Sequence, residues 1–186
     1  TLAATAPGAL PDYWEVRDTS APEDQPVSRH MTLRRTDPAA GEVWIDVALH
    51  GSEGYAGPWA DAAAPGDRLV ALGPGGKWMP DPDATWSLFA GDDAAVPAVL
   101  ANLEALPVSA RGEVVLEVQD AAHELDLSVV AVPEGITVRW VHRADEAPGE
   151  RALVQGIADA AWPEDVSGVQ AFVHGEREAM KAARAV

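Results

Sequence analysis

Three groups of residues in this chain have types and spacings that could do chemistry. Gly91-Asp92-Asp93-Ala94-Ala95-Val96-Pro97 closes an apolar run and opens a helical one. A glycine at such a junction lets a dinucleotide backbone approach a helix N-terminus. Two aspartates there would repel a bare phosphate and suit ribose hydroxyls or a nicotinamide amide better. A capped helix start in any α/β protein would read the same way. Arg143 directly follows another apolar run. Its guanidinium could take the 2′-phosphate of NADP bidentately, or pair with a surface carboxylate. Arg29, Arg34 and Arg35 are three of only 13 cationic residues, held within seven positions. On a strand Arg29 and Arg35 share one face and Arg34 points the other way. A cofactor pyrophosphate explains the cluster; so does a salt-bridged edge strand.

Other chemistries are excluded by what is missing. The 186 residues include no cysteine, which removes disulfides, thiolate nucleophiles, iron–sulfur ligation and cysteine-based zinc sites. Histidines 30, 50, 123, 142 and 174 show no H-E-x-x-H or H-x-H spacing, so no metal site is expected. Neither a G-x-S-x-G elbow nor a Walker A loop occurs. Thirty acidic against 13 basic residues give a formal charge of −17, which argues against non-specific binding to nucleic acid or an anionic membrane. No apolar run is long enough to span a bilayer. The first residues lack a basic n-region, so no signal peptide is read and a cytoplasmic location is expected. Trp44, Trp59, Trp86 and Trp140 fall within regular elements and are expected in the core, whereas Trp78, after the turn GPGGK, is expected to edge a cleft.

The elements that must position these groups change character near residue 80. Residues 1–26 contain four prolines and read as irregular, anchored by Tyr13 and Trp14. SRHMTLRR (28–35) reads as an exposed strand. EVWIDVALH alternates, with Val43, Ile45, Val47 and Leu49 on one face. AGPWADAAA reads as a short helix with Pro58 in its first turn, and GDRLVALG as a third strand closed by GPGG. This grammar suggests a partial antiparallel β-barrel over 1–80. Over 81–186 strands alternate with helices: TWSLFA, a helix from AAVPAVLANLEAL with Asp92 and Asp93 at its N-cap, GEVVLEV, ITVRWV, the helix GERALVQGIADA, VQAFVH and a closing helix. Such alternation implies a parallel, Rossmann-like sheet buried on both faces. Ligands of such sheets bind beyond the strands' carboxyl ends. The candidates there are Gly91-Asp92-Asp93, Gln119-Asp120, His142-Arg143 and His174-Gly175-Glu176.

In order along the chain, SRHMTLR, ALHG, PGDRLVALGPGG, LFAGDDAAVPA and FVHGE resemble the siderophore-interacting proteins. These are flavin-dependent ferric-siderophore reductases related to ferredoxin–NADP reductases, and the similarity runs from about Ser28 to Ala183. The resemblance implies an FAD-binding barrel followed by a nicotinamide-nucleotide domain. It places Arg29 and Thr32, with neighbouring His30 and Met31, at the flavin phosphate and ring edge. His50 and Gly51 match a turn lining the cofactor; Gly57 and Trp59 match the short helix beside it. Gly91, Asp92, Asp93, Ala94 and Pro97 match the nucleotide loop, with Arg143 as the candidate for an NADP phosphate. Hydride from NADPH or NADH would pass to FAD, then electrons singly to Fe(III) in a chelate. Ferric chelates are often anionic, and Arg34, Arg35 and Lys77 are the cations that could guide them.

The chain departs from the family pattern at Met31, where a tyrosine is usual, and at Gly57-Pro58, where a serine usually precedes the tryptophan. The family's first barrel strands would precede residue 28 and an aromatic-rich tail would follow Val186. The alternative reading is therefore a degenerate, non-catalytic member that binds a ligand or partner through the same cleft. A third is a reductase acting on free flavin. A monomer with a ferric siderophore as small-molecule substrate is expected.

Overall fold

The computed structural model describes residues 12–49, 52, 54–76, 78–146 and 151–183. The chain divides into two compact units, Thr1–Gly76 and Lys77–Val186.

The first unit holds a helix, α1 (Tyr13–Thr19), a two-stranded antiparallel sheet of β1 (Arg35–Asp37) and β2 (Glu42–Trp44), and a short helix, α2 (Ala56–Ala62). The irregular stretch expected before residue 26 thus contains a helix. The Asp12 carboxylate accepts hydrogen bonds from the amides of Trp14 (2.8 Å) and Glu15 (3.1 Å), supplying the N-cap that starts α1. Trp14 does not anchor it: the ring is 57% exposed. The hairpin forms because Asp37 Oδ1 accepts from the amides of Ala39 and Ala40, and Gly41 takes the positive φ of 68° that closes the turn.

The strands are shorter than the sequence pattern implies. Residues 28–33 form no strand, the Arg34 amide donates to the Trp44 carbonyl, β2 stops at Trp44, and GDRLVALG forms no strand. The antiparallel part is therefore a hairpin, and no closed barrel occurs among the described residues. The physical reason is the lack of a second layer. None of the described residues up to 76 is fully buried, and of the alternating set only Ile45 and Val47 are half-covered. A two-stranded sheet with one wet face is marginal by itself.

The second unit is a four-stranded parallel sheet in the order β5-β4-β3-β6, built from β3 (Trp86–Gly91), β4 (Arg111–Val118), β5 (Gly135–His142) and β6 (Val169–His174). On one face α3 (Val96–Ala105) lays Val96, Val99, Leu100 and Leu103 against Phe89, Val114, Leu116 and Ile136. On the other, α4 (Arg151–Ala158) sets Leu153 and Ile157 against Leu88, Ala90 and Val115, joined by Met180 of α5 (Arg177–Ala183). Burial of both faces explains the near-continuous apolar runs.

Two glutamates interrupt β4 and are buried nonetheless. Glu113 Oε1 accepts from the Arg139 guanidinium (2.7 and 2.9 Å), and its Oε2 accepts from the Ala161 amide (2.8 Å). Arg139 also donates to the Gly156 carbonyl (2.6 Å). Glu117, fully buried, accepts from the Leu153 amide in the first turn of α4 (2.9 Å). The carboxylates thus tie α4 to the sheet at both ends, and burial is tolerated because the lone pairs are used. Of the tryptophans expected in the core, Trp86 packs on Trp162 and Trp140 on the α3-side cluster, both half-buried. Trp44 is half-buried and Trp59 is 38% exposed, since the first unit offers no core.

Close approach of α4 to the sheet depends on Gly156. A Cβ there would stand 2.7 Å from Val115 Cγ1 and 3.1 Å from Val141 Cγ1. Gly156→Ala gains about 1 kcal/mol of helix propensity but overpacks a dense core, which costs about 1–3 kcal/mol. The clash should win: the urea midpoint falls, with the denaturant slope unchanged. An unchanged or higher midpoint would show that α4 stands further from the sheet.

Candidate functional site

The direction of chain crossing reverses between β3 and β6, because β3 leads through α3 to β4 on one side while β5 returns through α4 to β6 on the other. That reversal is the switch point at which such sheets take ligands. The loops there are held by β3's last residue and the two aspartates after it.

Gly91 is glycine for a packing reason. A Cβ would meet Ala95 Cβ at 2.2 Å and the His174 carbonyl at 2.3 Å, so only glycine fits between the start of the α3 turn and the end of β6. Asp92, only 4% exposed, makes three contacts. Its carbonyl accepts from the Ala95 amide (2.9 Å), Oδ1 from the Ala94 amide (3.0 Å) and Oδ2 from the Glu176 amide (2.9 Å). Neither aspartate is the N-cap of α3; that position is Ala95, whose side chain makes no capping bond. Asp92 instead shapes the turn before the helix.

Asp93 reaches the opposite way, across the end of β4. Its Oδ2 lies 2.7 Å from Arg143 Nη1, just beyond β5. The Arg143 side chain is largely buried. The charge is compensated by Asp93, although the buried Nη1 makes no well-directed hydrogen bond. The next residue, Ala144, holds a φ of 52°, with its amide donated to the Gln119 carbonyl. Left-handed backbone is rare for alanine, so the turn that aims Arg143 is strained. Ala94 is exposed, and Pro97 half-buried in the first turn of α3.

The same edge carries two histidine–carboxylate pairs, His123 Nδ1 with Asp120 Oδ1 and His142 Nε2 with Glu124 Oε1, each at 2.8 Å. The His123 ring and then the Ala122 amide hold the Asp120 carboxyl below the usual aspartate range. Beside β6, Trp78 packs on Phe172 (4.9 Å) and edge-on to Phe89 (6.0 Å), and Phe172 stacks with His174.

In the first unit the Arg29 guanidinium is exposed, lies 5.7 Å from the Tyr55 ring centre and donates to the Ser28 carbonyl. His30 and Met31 are exposed and Thr32 is half-buried. The three arginines are not arrayed on one strand as expected. Only Arg35 belongs to β1, with its guanidinium over Trp44 (5.7 Å); Arg34, largely covered, lies 3.8 Å from Asp46. Gly57 and Trp59 sit in α2, and a Cβ on Gly57 would touch only the Ala48 carbonyl, at 3.9 Å. His50, Gly51 and Lys77 lie outside the described residues. By residue type, the exposed Arg29 guanidinium, the Thr32 hydroxyl and the exposed Met31 and Trp59 side chains suit a phosphate-tailed aromatic ring. Among the described residues no cluster of side chains suits a metal ion, and no helix is long and apolar enough to cross a membrane.

Two family models match the chain in succession: a siderophore-interacting FAD-binding domain over residues 3–78 and siderophore-interacting protein over 84–186. The chain belongs to the siderophore-interacting protein family. An uncharacterized protein of Mycobacterium tuberculosis is 42% identical over 165 residues, covering 84% of this chain and 56% of the relative. The ferric vibriobactin reductase ViuB of Vibrio cholerae is 38% identical over 168 residues, covering 89% and 59%. Among solved structures, a siderophore utilization protein from T. fusca superposes with a TM-score of 0.77 at 34% identity, covering 90% of this chain and 61% of that one. The chain therefore spans a little under two thirds of the length of the relatives it matches.

Sequence reasoning missed Glu113, Glu117 and the strained Ala144. The glutamates carried a signal, since a charged residue repeated at a four-residue interval inside a buried strand needs a partner; nothing in the sequence marked Ala144. For Asp120 the sign of the shift fixes a pH dependence. A carboxyl held low contributes stability that is present above its unfolded pKa, near 3.8, and lost as pH falls through the folded value. In NMR titration Asp120 should titrate below an ordinary aspartate, and His123→Ala should move its midpoint up. A midpoint that His123→Ala leaves in place would show that the ring does not hold it.

Proposed function

We propose that this chain is the core of an FAD-dependent ferric-siderophore reductase that takes hydride from NADPH or NADH. The observation that supports it most is the succession of two matches, an FAD-binding domain and then the siderophore-interacting domain, in one chain. Bound FAD would supply a ring that accepts hydride and releases electrons one at a time. The chain's own residues bind and orient. Arg29 offers its guanidinium to the phosphate tail and Thr32 its hydroxyl to the ring edge, with His30 beside them. Met31 and Trp59 give apolar cover, and His50, Gly51 and Gly57 line the cofactor.

On the second unit, Asp93, Ala94 and Pro97 line the nucleotide loop that Gly91 and Asp92 shape, and the Arg143 guanidinium, paired with Asp93, is the candidate for a phosphate oxygen. Arg34, Arg35 and Lys77 are the cations that could steer an anionic ferric chelate. Fe(II) binds hard oxygen chelators less well than Fe(III), so reduction releases the metal. No proton transfer to substrate is required in this reading. The protein acts as a cytoplasmic monomer in this reading.

A non-catalytic binding role is the second reading, favoured by Met31 and Gly57 at positions where the family has tyrosine and serine. Anaerobic spectroscopy separates them. After reconstitution with FAD, the first reading predicts a band near about 450 nm that NADPH bleaches and a ferric chelate restores, with two Fe(II) per NADPH consumed. A band that NADPH leaves unbleached selects the second reading, and a chain that takes up no FAD contradicts the first.

A further inference from the structure

We infer that Asp92 is a positioning residue: it clamps the loop after β3 to the loop after β6 and so sets the width of the switch-point crevice. This rests on the proposal that a nicotinamide nucleotide binds at this edge, and it replaces the expectation that Asp92 touches the ribose.

The geometry runs in one direction. The Asp92 carboxylate is 4% exposed and has both oxygens committed to backbone amides on different loops, Ala94 on its own and Glu176 on the other. A hydrogen bond to an ionised acceptor is stronger than one between neutral groups, and here it is sheltered from water. Gly175 completes the clamp. A Cβ on it would stand 2.7 Å from Asp92 Oδ2, so only glycine lets the carboxylate lie flat against that backbone. Gly91 does the same from the other side, its missing Cβ giving way to the His174 carbonyl and Ala95. Two glycines and one carboxylate thus join two loops 84 residues apart in the chain. In an ordinary doubly wound sheet those loops diverge and a ligand enters between them. Here the Asp92 hydrogen bond and the close approaches at Gly91 and Gly175 hold the two loops together, so a ligand is expected nearer β4 and β5. There Asp93, Arg143 and Gln119 converge: the Asp93–Arg143 pair spans the end of β4, and the Gln119 carbonyl holds Ala144. A ligand at this edge lies over β4, with Arg143 in reach and Asp92 behind the loop that supports it.

The test measures amide hydrogen exchange by NMR on the 186-residue chain, together with NADPH titration, for the unaltered protein, Asp92→Ala and Asp92→Asn. Asparagine keeps one acceptor oxygen, so it should rescue in part. Asp92→Ala should speed exchange at Glu176 and Ala94 by about tenfold or more while β3 and β4 amides stay protected. NADPH affinity should fall in the same order, most for alanine and less for asparagine. Unchanged Glu176 exchange in Asp92→Ala would overturn the inference, and so would lost NADPH affinity with Glu176 still protected, since Asp92 would then contact the ligand. If the alanine variant does not fold, unchanged Glu176 exchange in Asp92→Asn overturns it equally. Absence of NADPH binding by the unaltered chain would refute the nucleotide reading alone; the exchange rates still decide the clamp.

Discussion

A parallel sheet has no tight turns to hold its strands together, so every pairing in the second unit must be closed by a crossover whose helix buries one face. This constraint governs the rest of the molecule. Both faces are committed to packing, Phe89 and Leu116 towards α3, Leu88 and Val115 towards α4. No face is left for a ligand. The strand ends are the one part of the sheet where backbone groups and short polar side chains come together without breaking the core. Asp92, Asp93, Asp120, Arg143 and His174 all lie on the carboxyl edge. Chemistry there is a consequence of the packing.

Charge distribution at that edge follows the same logic. Carboxylates take up the loop amides: Glu117 at the start of α4 and Asp92 on the loops preceding α3 and α5. Each is favourable, because an N-terminal helix turn attracts negative charge. The result is an edge already rich in anions, in which Arg143 is a cation already paired with Asp93. A phosphate would have to share that guanidinium with Asp93, so the pair sets the terms on which an anionic nucleotide enters. Net charge alone, at −17, would suggest that such ligands are repelled; local placement of one arginine matters more at contact distance.

The second unit was largely legible in the sequence, the first only in its short helix and its antiparallel pairing. Strands TWSLFA, GEVVLEV, ITVRWV and VQAFVH could be read because double-sided burial writes itself as apolar runs, and Gly91 and Pro97 punctuated the first crossover. The first unit's strands were read from alternation at Val43 to Leu49 and from SRHMTLRR, but alternation reports only what a strand would bury. With no layer for those side chains to meet, only Arg35–Asp37 and Glu42–Trp44 pair. Asp12, which starts α1, was overlooked because the four prolines around it suggested disorder of the chain path. At the site, residue types were legible and their roles were not. Asp92 and Asp93 look alike in sequence, yet one faces a backbone amide on β6's loop and the other an arginine beyond β5. Only the strand order, which places β4 and β6 on opposite sides of β3, tells them apart.

The proposed nicotinamide-nucleotide site lies at the carboxyl edge of this sheet, over β4. Mapping of backbone NMR shifts during addition of NADPH tests it directly. Perturbations concentrated at Asp93 and Ala94, Gln119 and Asp120, and Arg143 and Ala144 are the predicted result. Shifts at the opposite edge instead, around Trp86, Arg111, Gly135 and Val169, would contradict it.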